Sequence, residues 1–274
     1  MARLVPGAIA VAALLAGGSA GAAAAMNLAS HRAIYDLTLD DSTTGSDVSS
    51  VSGRMVMEFT GSDCSGYSTK LRFVTQTQDP DGNDQVIDSR SDLFEARDGK
   101  GLNFSNQTYT DDSLSEESRG SASRKDGDID VALTKPAEKK FGLPASVVFP
   151  TEQLQTIINS AIAGERFLNM RVYDGSEDGE TVFTIAVVIG AEATDHVDTG
   201  EDTIFRNAGL AGLRHWPITI SYFKDGPGDT TPEYVMSFVV YEDGIGRALK
   251  INYGDFALTG RLTHLDLLPT SPCK

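Results

Sequence analysis

The chain has 274 residues and carries 39 acidic side chains against 23 basic ones, so its formal charge is −16 at pH 7. A surface this acidic repels phosphate backbones and anionic lipid headgroups, which argues against nucleic-acid binding and against electrostatic docking on a membrane. Hydrophobic residues at 40% and aromatic residues at 8% are typical of a folded protein rather than a disordered one.

The first 25 residues have the pattern of a secretory signal peptide. Arg3 gives a short basic start, residues 4–16 form an apolar run, and residues 23–25 (AAA) fit an A-x-A cleavage site. The apolar run is shorter than the roughly 18 residues of a transmembrane helix, and no later stretch reaches that length. We therefore expect an exported, soluble, periplasmic protein that comprises residues 26–274. Loss of Arg3 leaves 22 basic residues against 39 acidic ones, a formal charge of −17.

Most of the mature chain alternates apolar and polar residues with a period of two, which is typical of β-strands with one buried face. The alternation is clearest over residues 33–40, 54–59 and 70–73. Further strand-like runs are separated by turn signals, mostly Asp-Gly pairs, which supply the positive φ of tight hairpin turns. These runs cover 84–97, 101–110, 115–124, 128–135, 166–174, 181–190, 213–224, 233–243, 245–254 and 256–268. The spacing predicts an antiparallel sheet that is largely a meander, with polar hairpins over 40–53 and within 111–128.

Residues 151–163 break this pattern and predict one amphipathic helix. Thr151 is a suitable N-cap and Gly164 is a suitable stop. Apolar residues recur on one helical face, and its large members are Leu154, Ile157, Ile158 and Ile162. We expect this stripe to lie against the concave side of a curved sheet, because a sheet is the only large apolar partner available. No linker divides residues 26–274, so we expect one domain of about a dozen strands and one helix.

Cys64 and Cys273 are the only cysteines. A single pair in an exported protein predicts a disulfide. A redox function is disfavoured, because there is no C-x-x-C motif and neither cysteine stands at the start of a predicted helix. In the chain-entropy model, closing so long a loop contributes at most roughly 5 kcal/mol. The bond would fix the C-terminal tail to an early strand.

The sequence contains no constellation that predicts catalysis or metal binding. Residues 174–179 (DGSEDG) resemble the start of a calcium loop, but the position of the bidentate Glu is Ile185. Residues 221–224 (SYFK) match S-x-x-K, yet they lie in a predicted strand, where residues three apart face opposite sides. The histidines are scattered at His31, His196, His215 and His264. We therefore expect no catalytic residue, no cofactor and no metal, so the protein is not expected to be an enzyme.

Several short motifs follow one another through the mature chain. They are HRAIYDL at 31–37, CSGY at 64–67, FGLP at 141–144, VFPTE at 148–152, YDGS at 173–176, WPI at 216–218, SYF at 221–223 and the late Cys273. In this order, over about residues 30–273, they resemble the EipB family of periplasmic cell-envelope integrity proteins.

The resemblance implies a spiral-like, half-open β-barrel of about fourteen antiparallel strands with one short helix, similar to the lipoprotein carriers LolA and LolB. It also implies a disulfide between Cys64 and Cys273, periplasmic tetratricopeptide-repeat proteins as partners, and no catalytic residue.

Two functions then stay open. In the first, the protein supports the Gram-negative cell envelope under stress through protein binding and without catalysis. In the second, it carries a lipid or a lipoprotein acyl chain in the cleft of the half-open barrel, since apolar clefts of this kind bind apolar ligands. The apolar face of the predicted helix is the candidate lining of that cleft.

Overall fold

A computed structural model of the chain describes residues 28–194, 201–224 and 231–270. The predicted signal peptide lies outside these described residues. Fifteen strands are formed: β1 His31–Ser42, β2 Ser50–Ser62, β3 Gly66–Gln78, β4 Asp84–Glu95, β5 Gly101–Thr110, β6 Ser113–Lys125, β7 Asp128–Lys135, β8 Lys139–Leu143, β9 Val147–Val148, β10 Phe167–Val172, β11 Phe183–Ile189, β12 His215–Lys224, β13 Tyr234–Tyr241, β14 Gly246–Asn252 and β15 Phe256–Leu267. The helices are α1 Pro150–Ile162 and α2 Asp202–Asn207, with one 3-10 turn at Arg97–Gly99. Of the described helices, none is long and apolar enough to cross a membrane.

All fifteen strands belong to one sheet with the order β8-β7-β6-β5-β4-β3-β2-β1-β15-β14-β13-β12-β11-β10-β9. The first and last strands of the chain meet in its middle, because β1 pairs with both β2 and β15. Every pairing is antiparallel except that of β9 with β10, and α1 is the crossover that this parallel pair requires. The two ends of the sheet, β8 and β9, are separated by only three residues, 144–146. The sheet therefore curls on itself into a nearly closed barrel.

Three clusters of buried side chains form the core. The largest packs α1 against β10 to β13 and includes the fully buried Trp216. The second lies inside β5 to β8 and includes Phe149 and Tyr173. The third packs the residues around α2, with Phe205 at 0% exposure, against β1, β13 and β15. The third cluster explains why α2 forms, although the sequence pattern did not predict a second helix.

The loop at 173–182, which joins β10 to β11, fastens the sheet across the gap between its two ends. The Gly175 carbonyl accepts hydrogen bonds from the Asn106 amide and the Ser118 hydroxyl, on β5 and β6. Gly175 has φ +70°, and a Cβ at this position would lie 2.3 Å from a ring carbon of Phe104. Only glycine fits at this position, because a side chain would both disfavour the positive φ and overlap the Phe104 ring.

The structure corrects several details of the sequence prediction. The strand predicted over 115–124 is present as β6, which pairs with β5 from Ser113 and with β7 over Arg119–Lys125. The polar hairpin expected within 111–128 is reduced to tight turns at 111–112 and 126–127. The polar connection within 40–53 is real but shorter, since β1 ends at Ser42 and β2 begins at Ser50. Strands β8 and β9 were missed because five and two residues are too short to show a period.

Candidate functional site

Helix α1 lies against the inner face of the curved sheet, and we take this interior as the candidate site. Ile157 and Ile158 are 1% and 0% exposed and pack in the cluster that contains Ile218 and Ile220 of β12. Leu154 is half-buried against the same cluster. The sequence placed Ile162 on this face as well, but it is 42% exposed, because it is the last residue of the helix and extends beyond the contact.

The start of α1 is held by a residue that the sequence analysis missed. The helix begins at Pro150 and its N-cap is Phe149, not Thr151, and Phe149 makes no side-chain cap bond. Instead, the carboxylate of Glu95 at the end of β4 accepts hydrogen bonds from the backbone N–H and the hydroxyl of Thr151, both at 2.6 Å. Glu95 is only 4% exposed, and burial raises the pKa of its carboxyl. A carboxylate at a helix N-terminus satisfies free N–H groups and meets the positive end of the helix dipole.

Arg124 on β6 is a second missed anchor of the same helix. Its guanidinium donates to the Glu152 carboxylate at 2.6 Å and to the carbonyls of Val147, Ala145 and Gly99 at 2.8–2.9 Å. No local motif signals either anchor, because Glu95 and Arg124 lie 56 and 28 positions from their helix partners. The first turn of α1 is therefore tied to the sheet through β4 and β6.

A row of aromatic rings continues the inner face from α1 across β12, β13 and the β14–β15 turn. The Gln153 amide on α1 donates to the Tyr222 hydroxyl at 3.2 Å. Tyr222 stacks on Tyr234 at 4.5 Å between ring centroids, Tyr234 lies 6.2 Å from Tyr253, and Tyr253 lies 5.0 Å from Phe256. Tyr222 is two residues from the buried Ile220 and pairs directly with Tyr234, so both side chains are on the inner face.

The aromatic row is partly open to solvent. Tyr253 is 39% exposed, while Tyr222, Tyr234 and Phe256 are half-buried. Burial raises the pKa of Tyr222 to about 12, so its hydroxyl is neutral and can donate a hydrogen bond at any physiological pH. The row thus offers flat apolar surface with phenolic donors.

Half-buried apolar side chains line the facing part of the sheet. Met57 and Met55 lie on the same side of β2 as Phe59, which is in the α1 cluster, and they pair with Leu71 and Phe73 of β3. The half-buried members of this lining are Met55, Met57, Leu71, Phe73, Met236 and Phe238. Methionine side chains adapt to irregular apolar partners. Chemically, the interior can bind an apolar group by contact.

The described residues show no grouping of side chains that could hold a metal ion. Within 28–194, 201–224 and 231–270, no three His, Cys, Asp or Glu side chains come together. His31 and His215 each bond a nearby carbonyl through Nδ1, and His264 contacts Asp266. His196 lies outside the described residues.

The residues that resembled a calcium loop and a Ser-Lys pair have structural partners. Asp174 and Asp178 accept hydrogen bonds from the N–H groups of Ser176 and Glu180, as turn residues do. Lys224 forms an ion pair with Glu177 at 3.2 Å.

Cys64 is exposed in the turn between β2 and β3. Cys273 lies outside the described residues. The disulfide between them stays a prediction.

Comparisons with known proteins agree on one family. The EipB-like family model matches residues 22–269. The cell envelope integrity protein EipB of Brucella abortus (strain 2308) is 40% identical over 258 residues, which cover 94% of this chain and 90% of that protein. A crystal structure of a β-barrel-like protein of a domain of unknown function, also from Brucella abortus, has a TM-score of 0.82 and 38% identity over 89% of this chain and 100% of its own. With the motifs, the barrel and these matches in agreement, the chain belongs to the EipB-like family.

Proposed function

We propose that this protein supports the integrity of the cell envelope from the periplasm, by binding and without catalysis. The name of the Brucella relative supports the envelope function. The observation that carries the binding function is that polar side chains on the inner face are engaged in hydrogen bonds within the protein. Glu95 bonds Thr151, and Asn106 and Ser118 bond the Gly175 carbonyl, so these groups hold the fold together. The rest of the interior is lined by apolar and aromatic side chains, and such a surface suits the binding of an apolar group through van der Waals contacts.

The proposed partner is a periplasmic protein of the tetratricopeptide-repeat class, which the family resemblance suggests. The proposed location follows from the signal peptide predicted over residues 1–25. Cell fractionation with N-terminal sequencing of the mature protein tests the location: the sequence should begin at Met26, and an intact Met1 in the cytoplasmic fraction would refute it.

Complementation of a deletion strain tests the binding function. The strain should become sensitive to detergent and to antibiotics that act on the cell wall. Single substitutions of Asp, Glu, His or Ser should mostly restore resistance, because binding energy is spread over a surface. Loss of one catalytic acid, base or nucleophile instead reduces a rate by orders of magnitude. One such variant that folds, accumulates and binds its partner but fails to restore resistance would refute a binding-only function.

The half-buried aromatic row supports a second candidate, a carrier of a lipid or a lipoprotein acyl chain. The α1 side of the interior is filled by Ile157 and Ile158, so an acyl chain would lie against Tyr234, Tyr253 and the methionines. Native mass spectrometry of protein purified from periplasm tests this candidate. A co-purifying lipid that is lost in a Tyr253→Ser variant but kept in Val188→Ser, an exposed position on β11, supports it. The absence of lipid from both the wild type and the variants counts against it.

A further inference from the structure

Strand β8 leaves one of its edges without a partner strand. It is the terminal strand of the sheet and pairs only with β7, over Lys139 to Leu143. Among the described residues, no backbone hydrogen bond reaches 139–143 from any strand other than β7. Gly142 is exposed, and only one atom lies within 4 Å of the position of an added Cβ. The N–H and C=O groups on this edge can therefore accept one more strand.

The lining of the hollow beside this edge has more lysine than acidic side chains, although the mature chain is strongly acidic. A hollow of about 510 Å³ lies across β6, β7 and β8. Two exposed lysines, Lys125 and Lys140, line it together with the hydroxyls of Ser121 and Ser123, and Asp130 is the only acidic side chain in the lining. Within the described residues, neither lysine forms an ion pair. Both positive charges are available to a ligand.

We infer that the free edge of β8 takes an extended acidic segment of a partner protein as an additional strand. This inference deepens the proposed function and rests on it, since it assigns the binding surface and the chemistry of the partner. Backbone hydrogen bonds to β8 would supply affinity, and side chains of the added strand would alternate toward the hollow. A carboxylate on that side would reach Lys140, and Lys125, two strands further in on β6, would add attraction at longer range.

The same charges argue against pairing with a second copy of this chain. Two β8 edges brought together would place Lys140 of one copy beside Lys140 of the other, and like charges on adjacent strands destabilise the pairing, whereas Lys139 is already paired with Glu180. The carboxylates of an acidic strand would instead be attracted to the lysine side chain at this edge. The other end of the sheet offers no equivalent edge, because β9 has only two residues and leads directly into α1.

Peptide binding to the full mature protein tests the inference. The probe is a fluorescent octapeptide that alternates Glu with Val, with a Lys-Val peptide and a Glu-Val peptide containing a central Pro as controls. We expect the Glu-Val peptide to bind, and both controls to bind far more weakly. On binding, amide hydrogen exchange should slow in residues 139–143. Equal binding of all three peptides, or binding without protection of β8, would overturn the inference.

Charge reversal locates the site. Lys125→Glu with Lys140→Glu should weaken binding about tenfold, since the contact at Lys140 becomes repulsive and the attraction from Lys125 is reversed as well. The matched control reverses Lys70 and Lys100, which are exposed on β3 and before β5. If the control double variant weakens binding as much, the effect is one of net charge and the β8 site is refuted.

Complementation then separates this inference from the proposed function. The Lys125→Glu, Lys140→Glu variant should fold normally and fail to restore envelope resistance. Full restoration by this variant would refute the β8 site and leave the binding function standing. Failure of a single Asp, Glu, His or Ser variant with intact fold and partner binding would instead refute the binding function itself.

Discussion

The buried carboxylate at the start of α1 provides the sharpest test of how the barrel holds its helix. Replacing Glu95 by alanine removes the acceptor of two hydrogen bonds from Thr151, each at 2.6 Å. Thr151 is 6% exposed, so water cannot readily replace that acceptor. Hydrogen bonds to charged groups contribute about 1.5–3 kcal/mol each, and removal of the buried charge offsets part of this loss. We expect Glu95→Ala to lower the free energy of unfolding by about 2–4 kcal/mol.

Glu95→Gln separates the hydrogen bonds from the charge. The amide oxygen can still accept from Thr151, so we expect a loss below about 1.5 kcal/mol. Because burial raises the pKa of Glu95 above its ordinary value of 4.5, the folded protein binds a proton more tightly than the unfolded chain. The part of the stability that comes from this tighter proton binding is therefore fully present below pH 4.5 and is lost as the pH rises through the raised pKa, while the hydrogen bonds from Thr151 remain. The stability of the wild type minus that of Glu95→Gln should decrease over that window.

Urea unfolding followed by tryptophan fluorescence measures both effects. Trp216 is the only tryptophan, is 1% exposed and packs in the α1 cluster, so its emission reports on this contact. Asp92→Ala, at an exposed position of the same strand, is the matched control and should change stability by less than about 0.5 kcal/mol. If Glu95→Ala unfolds at the same urea concentration as the wild type, the carboxylate does not hold the helix and the reasoning fails.

Three further outcomes are expected. Gly175→Ala should lower the free energy of unfolding by about 2–4 kcal/mol, because φ at this position is +70° and the added Cβ would overlap a buried ring. Gly82→Ala, at φ +86° in open space, should lower it by only about 1 kcal/mol. Equal melting temperatures of the two variants would contradict this reasoning. Ile158→Asp should unfold the protein or cost more than about 3 kcal/mol, while Ile162→Asp should be nearly neutral because that side chain is exposed; thermal melts decide. Cys64→Ser should lower the melting temperature by several degrees, and a thiol assay on denatured, unreduced wild-type protein should detect no free thiol; two free thiols would refute the disulfide.

Much of the strand pattern could be predicted from the sequence, because strands and tight turns leave local signals. The predicted runs 101–110 and 128–135 coincide with β5 and β7, and most of the others agree within two or three residues. Helix α1 was placed within one residue, since four large apolar residues on one face and a terminal Gly164 suffice to define it. The family was recognisable from the ordered motifs and is confirmed by the family match.

Other features exist only in the tertiary structure. Thr151 satisfied the local rule for an N-cap, yet the acceptor at the helix start is Glu95, 56 positions away, where β4 delivers a carboxylate into the core. The aromatic row depends on the register of β12 with β13, which places Tyr222 directly opposite Tyr234. Hydrophobic period and turn chemistry are properties of neighbours in the chain, so the sequence alone determined where α1 and all strands except the short β8 and β9 lie. Caps, stacked rings and the free edge of β8 require residues far apart in the chain to meet, and only the closing of the sheet decided which ones do.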